Sequence, residues 1–221
     1  GEAFAEAIFN SLEKAQLVLS AEITGTKVFA SPRRLAVLIP KVLSKAGDRP
    51  VSQKLMPVAV GLDAKGQPSP ALLKKLGSLG ADASVVSQLK RAMDGKAEAL
   101  FYDSVVKGAT LAQGLQMAID EALAKLPIPK VMTYQLANGW DSVQFVRPAH
   151  GLVALHGTDL VPISVLGLSA GRETRGHRFE ASVTKIVLKD ADSYEAQMEN
   201  EGAVIAGFAA RRAEIAHQLA A

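Results

Sequence analysis

Arg172, Arg175, His177 and Arg178 fall within seven residues, among glycines at 171 and 176. Guanidinium is planar, forked and always charged, so it suits bidentate contact with phosphate. In an extended segment Arg172 and Arg178 point to one side, and Arg175 and His177 to the other. One side then fits a polyanion while the other braces on the body through Glu173 or Glu180. The glycines would let a phosphate backbone approach closely. An arginine network that only holds a loop in place is the competing reading.

Other residues extend this chemistry. Arg33 and Arg34 follow Ser31-Pro32 between two short apolar runs. A strand, a Pro-Arg-Arg turn and a second strand would hold two guanidiniums at a sheet end, although a solvated hairpin tip has the same pattern. Arg147 sits beside Pro148 at an expected strand end, and His150 fits either a pH-sensitive donor or a packed histidine. Lys130 leaves the stiff Pro127-Ile128-Pro129 segment. Trp140 and Tyr134 fit stacking on bases, but a single Trp is by type a core residue.

Several reaction classes lack their residues. No Walker-type glycine loop occurs, and no G-x-G-x-x-G follows a strand. There is no His-Glu-x-x-His helix for zinc. His150 and His156 would lie about 20 Å apart along a strand, too far to share a metal. The chain has no cysteine, which excludes disulfides and thiolate metal sites and fits a reducing, cytoplasmic setting. No apolar run approaches the ~18 residues of a membrane span, so no membrane partner is expected. The 25 basic and 22 acidic side chains leave a formal charge of +3. Any polyanion site must therefore come from local clustering.

The elements that position these groups follow from periodicity. The 221 residues are 48% hydrophobic, enough for a real core. Apolar spacing predicts helices over 2–19, 70–79, 82–92, 192–200 and 203–221. Thr110 and Gln113 have capping-box spacing at the start of another, which Pro127 and Pro129 end at 126. Strands are expected over 22–30, 35–39, 99–106, 142–146, 151–156, 160–166 and 183–188, and an extended excursion over 43–70. The final helix stops mid-pattern, as if the chain continued. The fold class is α+β: a central mixed or antiparallel sheet of short strands, flanked by helices at both chain ends. The division is into 1–125 and a β-rich 126–221, or one continuous domain.

Five blocks then occur in order: Ser31-Pro32-Arg33-Arg34-Leu35-Ala36-Val37, Leu126-Pro127-Ile128-Pro129-Lys130, Phe145-Val146-Arg147-Pro148, His150 with Leu152-Val153-Ala154-Leu155, and Thr174-Arg175-Gly176-His177-Arg178-Phe179. Together they resemble the β subunit of the bacterial heterotetrameric glycyl-tRNA synthetase, over its N-terminal part. Departures are Thr133-Tyr134 where that family usually has Arg-Trp, and Gly151 where it often has an aromatic residue. Lys54-Leu55-Met56-Pro57 stands where the family has a Lys-Gly-Pro segment.

The resemblance implies a subunit that supports ATP-dependent attachment of glycine to tRNA(Gly) through tRNA binding and assembly. Catalysis, ATP and Mg2+ would then belong to the alpha subunit of an alpha2beta2 enzyme, with no cofactor and no catalytic residue in this segment. The candidate tRNA contacts are Arg33, Arg34, Lys130, Arg147, His150, Arg172, Arg175, His177 and Arg178. Two alternatives remain. One is an editing hydrolase similar to the B3/B4-type domain of phenylalanyl-tRNA synthetase, with His150 or His177 as base. The other is a pure assembly scaffold.

Overall fold

The apolar stripe at the start of the chain forms α1 (Glu2–Lys14), which buries Phe4, Ala5, Ile8, Phe9 and Leu12 on one face. The helix ends at Lys14 rather than at residue 19. Gln16 turns left-handed at φ 60°. Its N–H then donates to Glu13 O at 2.8 Å, and that of Leu17 to Leu12 O at 2.9 Å. This closure satisfies the terminal carbonyls and swings Leu17 into the core, where it is fully buried.

A computed structural model describes residues 1–63, 65–94, 97–126, 132–145 and 149–220. The chain divides into two units, Gly1–Ala46 with Ala109–Ala221, and Gly47–Gly108. The boundary read from the sequence after residue 125 falls inside the first unit.

In the first unit, residues Ser20–Gly25 form a 3-10 turn rather than the start of a strand. β1 (Lys27–Ser31) and β2 (Arg34–Leu38) then pair antiparallel, from Lys27↔Leu38 to Ser31↔Arg34. Pro32 and Arg33 make the turn, as their types predict. The Ser31 hydroxyl accepts from the Arg34 N–H at 3.1 Å and fixes it.

The second unit corrects two expectations. The segment read as an extended excursion contains β3 (Arg49–Pro57), followed by the short α2 (Val58–Gly61). α3 (Pro70–Ser78) forms as expected, capped by the Ser69 hydroxyl. The helix expected over 82–92 is a 3-10 turn, Ala83–Gln88, followed by β4 (Lys90–Asp94). Asp82 does cap it, accepting from Ser84 N–H at 2.8 Å, but Val85 and Val86 are β-branched and favour no long helix. β5 (Ala97–Val106) completes a three-stranded antiparallel sheet in the order β3-β5-β4. Pro50 and Pro57 gave β3 the look of a loop, yet an edge strand tolerates proline.

One face of this sheet packs Leu100 and Tyr102 against Leu72 and Leu76 of α3. On the other face Lys54 and Lys90 flank Phe101 in register. Both lysines are paired, Lys54 with Asp94 and Lys90 with Asp103. The Lys90 and Ser52 hydrogen bonds hold the Asp103 carboxyl below its usual range.

Back in the first unit, α4 (Leu111–Lys125) starts with the predicted capping box. Gln113 N–H donates to the Thr110 hydroxyl at 3.3 Å, and Thr110 N–H to Gln113 Oε1 at 3.0 Å. α4 packs along α1 through Leu111, Ala118, Ile119 and Ala122. Gly114 permits this, since a Cβ there would come within 2.2 Å of Leu17 Cδ1. Each large aliphatic or aromatic side chain buried here contributes about 1.5–3 kcal/mol.

The remaining strands are short and antiparallel. β6 (Met132–Gln135) pairs with β7 (Ser142–Phe145), β8 (Leu155–His156) with β9 (Asp159–Leu160), and β10 (Ser164–Val165) with β11 (Leu168–Ser169). β12 (Glu173–Thr174) pairs with β13 (Ile186–Val187). The class is α+β, with helices at both chain ends, but among the described residues the strands form six small sheets rather than one central sheet.

α5 (Tyr194–Asn200) and α6 (Phe208–Ala220) follow. Met198 of α5 joins Ile186 and Leu188 in a separate small core. Gln197, the buried polar residue of this region, spends its amide fully. It accepts from Lys189 N–H and the Ser193 hydroxyl at 2.9 Å, and donates to Val187 O at 3.2 Å and Glu201 Oε1 at 2.9 Å.

Two outcomes follow from this packing. Thr110→Ala should cost about 1 kcal/mol, read as a lower urea midpoint at unchanged slope. Burial pushes the Tyr194 phenol above 10.0, with the Arg34 charge pulling it back. The unfolded chain therefore releases this proton first as pH rises, so stability falls through the alkaline range. Between pH ~9 and pH ~11, Tyr194→Phe should lose less unfolding free energy than the unsubstituted chain in parallel urea titrations. Equal slopes would count against the shift.

Candidate nucleic-acid interface

The basic segment is not an extended strand. Only Glu173 and Thr174 are in β12, after which the chain turns and docks on the end of α5. The His177 N–H donates to Gly202 O at 2.6 Å, and Ser182 N–H to Glu201 O at 3.0 Å. A Cβ on Gly176 would lie 2.4 Å from the Gly202 Cα. Gly176 is therefore bare because another backbone already occupies that space, which overturns its reading as room for a phosphate. Among the described residues, its two chain neighbours aside, the nearest heavy atom to a Cβ built on Gly171 is Glu173 N at 3.9 Å.

His177 stabilises the turn that follows. Its Nδ1 accepts from the Glu180 N–H at 3.2 Å and the Phe179 N–H at 3.4 Å. That role places the ring proton on Nε2. The nitrogen that would serve as a free base is thus occupied by backbone.

The β1–β2 hairpin meets this loop through Arg34, whose guanidinium donates to the carbonyls of Arg175 and, at 3.4 Å, of Gly176. Arg172 is likewise a brace, donating to Thr158 O at 2.7 Å. Neither expected acid serves as a brace for these arginines. Glu173 pairs instead with Lys185 at 2.8 Å.

Arg33, Arg175 and Arg178 are different. All three side chains are exposed, and among the described residues no carboxylate lies within ion-pair distance of them. Arg178 lies 5.7 Å over the ring of Phe179, which is itself 80% exposed. The structure thus brings together a hairpin turn carrying Arg33 and a loop carrying Arg175, Arg178 and a bare aromatic ring. Exposed guanidinium with an exposed ring is the combination that holds phosphate and stacks a base.

The other candidates stand apart. His150 is exposed and makes no hydrogen bond to the described residues. Lys130 and Arg147 lie outside the described residues. Tyr134 is half-buried, and its hydroxyl donates to Leu166 O at 3.2 Å. Trp140, expected in a core, is 91% exposed.

Two residues escaped sequence reasoning. Phe179 entered only as the end of a sequence block, and its one signal was its position between the charged residues Arg178 and Glu180. Arg211, inside an apolar helix stripe, donates to Ile205 O at 2.9 Å, Ala206 O at 3.2 Å and Ala30 O at 3.0 Å. It ties the start of α6 to β1. A G-x-S-x-G string, Gly167 to Gly171, is also present. Ser169 pairs with Ser164 in a two-residue strand and no helix follows it, so it is not the strained strand-to-helix elbow of a hydrolase.

Comparison with known proteins agrees with the sequence blocks. The family model described as glycyl-tRNA synthetase beta subunit matches residues 1–221. A glycine–tRNA ligase beta subunit from Leptothrix cholodnii is 67% identical over 219 residues, covering 99% of this chain and 30% of that protein. Those from Dechloromonas aromatica and an Acidovorax species are 63% and 66% identical, each over 31% of its own length. The chain spans about three-tenths of the length of these relatives. It belongs to the glycyl-tRNA synthetase beta subunit family.

Proposed function

We propose that this chain is the RNA-contacting part of the beta subunit of a cytoplasmic glycine–tRNA ligase. In this reading it binds tRNA(Gly) and helps to join the subunits. The alpha subunit of an alpha2beta2 enzyme binds ATP and Mg2+ and attaches glycine. The observation that carries the reading is the set of three exposed guanidiniums, Arg33, Arg175 and Arg178, left without carboxylate partners among the described residues. Unpaired surface arginines beside a bare ring are poorly explained as braces, because bracing is done by Arg34 and Arg172. Those two and His177 act as positioning residues that hold the loop. Lys130, Arg147 and His150 extend the proposed contact set.

Hydrolytic editing finds less support. His177 spends its Nδ1 on backbone N–H groups, and no group of three or more metal-binding side chains occurs among the described residues. Among these residues no helix is long and apolar enough to cross a membrane.

The test uses the full-length beta subunit with its alpha partner. Replacing Arg33, Arg175 and Arg178 by Glu should weaken tRNA affinity at least about tenfold. It should also make the log–log salt dependence shallower by about two to three, because fewer counterions are released. Glycine-dependent ATP–pyrophosphate exchange should be unchanged. If affinity and salt slope match the unsubstituted enzyme, the loop is structural only.

A further inference from the structure

Phe179 is 80% exposed, and it belongs to none of the apolar clusters of the described residues. A single exposed ring needs no ligand on that ground alone. The turn that carries this one and the groups around it set it apart. The turn is fastened on both sides. Before the ring, the His177 N–H donates to Gly202 O at 2.6 Å. After it, Ser182 donates to Glu201 O from its N–H and from its hydroxyl, each at 3.0 Å. Within the turn, His177 O accepts from the Ala181 N–H at 3.3 Å, and His177 Nδ1 holds the Phe179 and Glu180 N–H groups. A ring presented this way is ordered before anything binds it, so little further entropy is lost on binding.

Its neighbours fix how the ring can be used. The Arg178 guanidinium lies over one face, 5.7 Å from the centroid. The His177 imidazole meets it at 6.2 Å with 63° between the planes. A planar ligand therefore has one face of the ring, the one opposite Arg178, and stacks there singly.

Charge decides what that ligand is. Residues 168–188 and the hairpin turn carry Arg33, Arg34, Arg172, Glu173, Arg175, His177, Arg178, Glu180 and Lys185. Glu173 and Lys185 neutralise each other, and Arg34 and Arg172 are bound to carbonyls. Three guanidiniums and one carboxylate, Glu180, are left without an ion-pair partner among the described residues. Cations thus precede the ring in the chain and an anion follows it. Phosphate is attracted on one side and repelled on the other. An uncharged base with a phosphate on one side matches that order.

The form of the RNA follows from the ring. Inside a duplex both faces of a base are covered by its neighbours, and the deep, narrow major groove of the A-form helix admits no side chain. A ring fixed on its turn can stack only on a base that has left the stack. We propose that this loop takes one unpaired nucleotide, with its base on the open face of Phe179 and adjoining phosphates on Arg178, Arg175 and Arg33. This rests on the reading above that these guanidiniums contact RNA, and it narrows the ligand from any phosphate backbone to a single-stranded one.

The experiment uses the full-length beta subunit with its alpha partner, bearing Phe179, Phe179→Tyr or Phe179→Ala. The probes are tRNA(Gly) and a blunt RNA duplex with no unpaired base. Phe179→Ala should weaken tRNA affinity about tenfold, and Phe179→Tyr, which keeps a ring, by less than about threefold. The log–log salt slope should not change in Phe179→Ala, because stacking releases no counterions. Affinity for the duplex should be the same in all three. Ultraviolet crosslinking to tRNA(Gly), read by mass spectrometry, should join Phe179 to one unpaired nucleotide. Removing the base of that nucleotide should erase the difference between Phe179 and Phe179→Ala. Unchanged tRNA affinity of Phe179→Ala, an equal loss on the duplex, or a crosslink to a base-paired nucleotide overturns the proposal. So does protection of Phe179 from hydroxyl radicals in the isolated beta subunit, where another part of the same chain would cover the ring. If Phe179→Ala is silent while the arginine replacements weaken binding, RNA contact stands without the unpaired base. If both are silent, RNA contact fails as well.

Discussion

Two backbones touch where residue 176 passes residue 202. A single methyl group on Gly176 would lie 2.4 Å from the Gly202 Cα and its carbonyl oxygen. Contact this close requires glycine on both segments, and it is what lets the His177 N–H reach Gly202 O. Once the loop is seated there, the Arg175 and Gly176 carbonyls face Arg34 of the β1–β2 hairpin. The hairpin is in turn fixed to α6 by Arg211 through Ala30. The relative positions of Arg33, Arg175, Arg178 and Phe179 all descend from that one steric fit. The guanidiniums that bind carbonyls set the geometry, while Arg33, Arg175 and Arg178 have no carboxylate partner among the described residues.

The legible parts of the chain were those governed by local rules. Thr110 and Gln113 announce a helix start because two reciprocal hydrogen bonds need only that spacing. Ser31-Pro32-Arg33-Arg34 announces a turn because proline fixes its own φ and restricts its neighbour. β3 was not legible, since its prolines mark a loop unless the strand lies at an edge, and edges are decided by distant pairing with β5. Lys90 to Ala92 was read as the end of a helix because its pairing with β5 is likewise distant from local rules. In the site, the arginines were visible by type, but which of them brace and which stay open depends on carbonyls far away in sequence. Trp140 shows the limit of residue type most clearly. Its exposure is set by Asn138 and Gly139, which close a tight tip with the ring outside.

Net charge and the unpaired Arg33, Arg175 and Arg178 fall in different units. The formal +3 lies wholly within residues 47–108, where nine basic side chains meet six acidic ones, while elsewhere sixteen meet sixteen. Yet Lys54 and Lys90 in that unit are each paired with an aspartate. The neutral unit is the one that leaves Arg33, Arg175 and Arg178 unpaired among its described residues. Contact with a polyanion depends on where cations stand unpaired rather than on an average over the surface.

The segment 47–108 leaves and rejoins the chain at a single point. Ala46 N–H donates to Ala109 O at 2.9 Å, and Lys45 bridges Thr110. Just inside, Asp48 accepts from Gly108 N–H at 2.9 Å and Arg49 pairs with Val106. The connection is thus a two-stranded stem, closed on both sides of the junction by its own hydrogen bonds. Insertions or deletions beyond the stem cannot alter the register of β1, β2 or α4, because the chain is returned to the same place whatever its length between. The segment is thus attached as a graft is to a stock, through one closed junction.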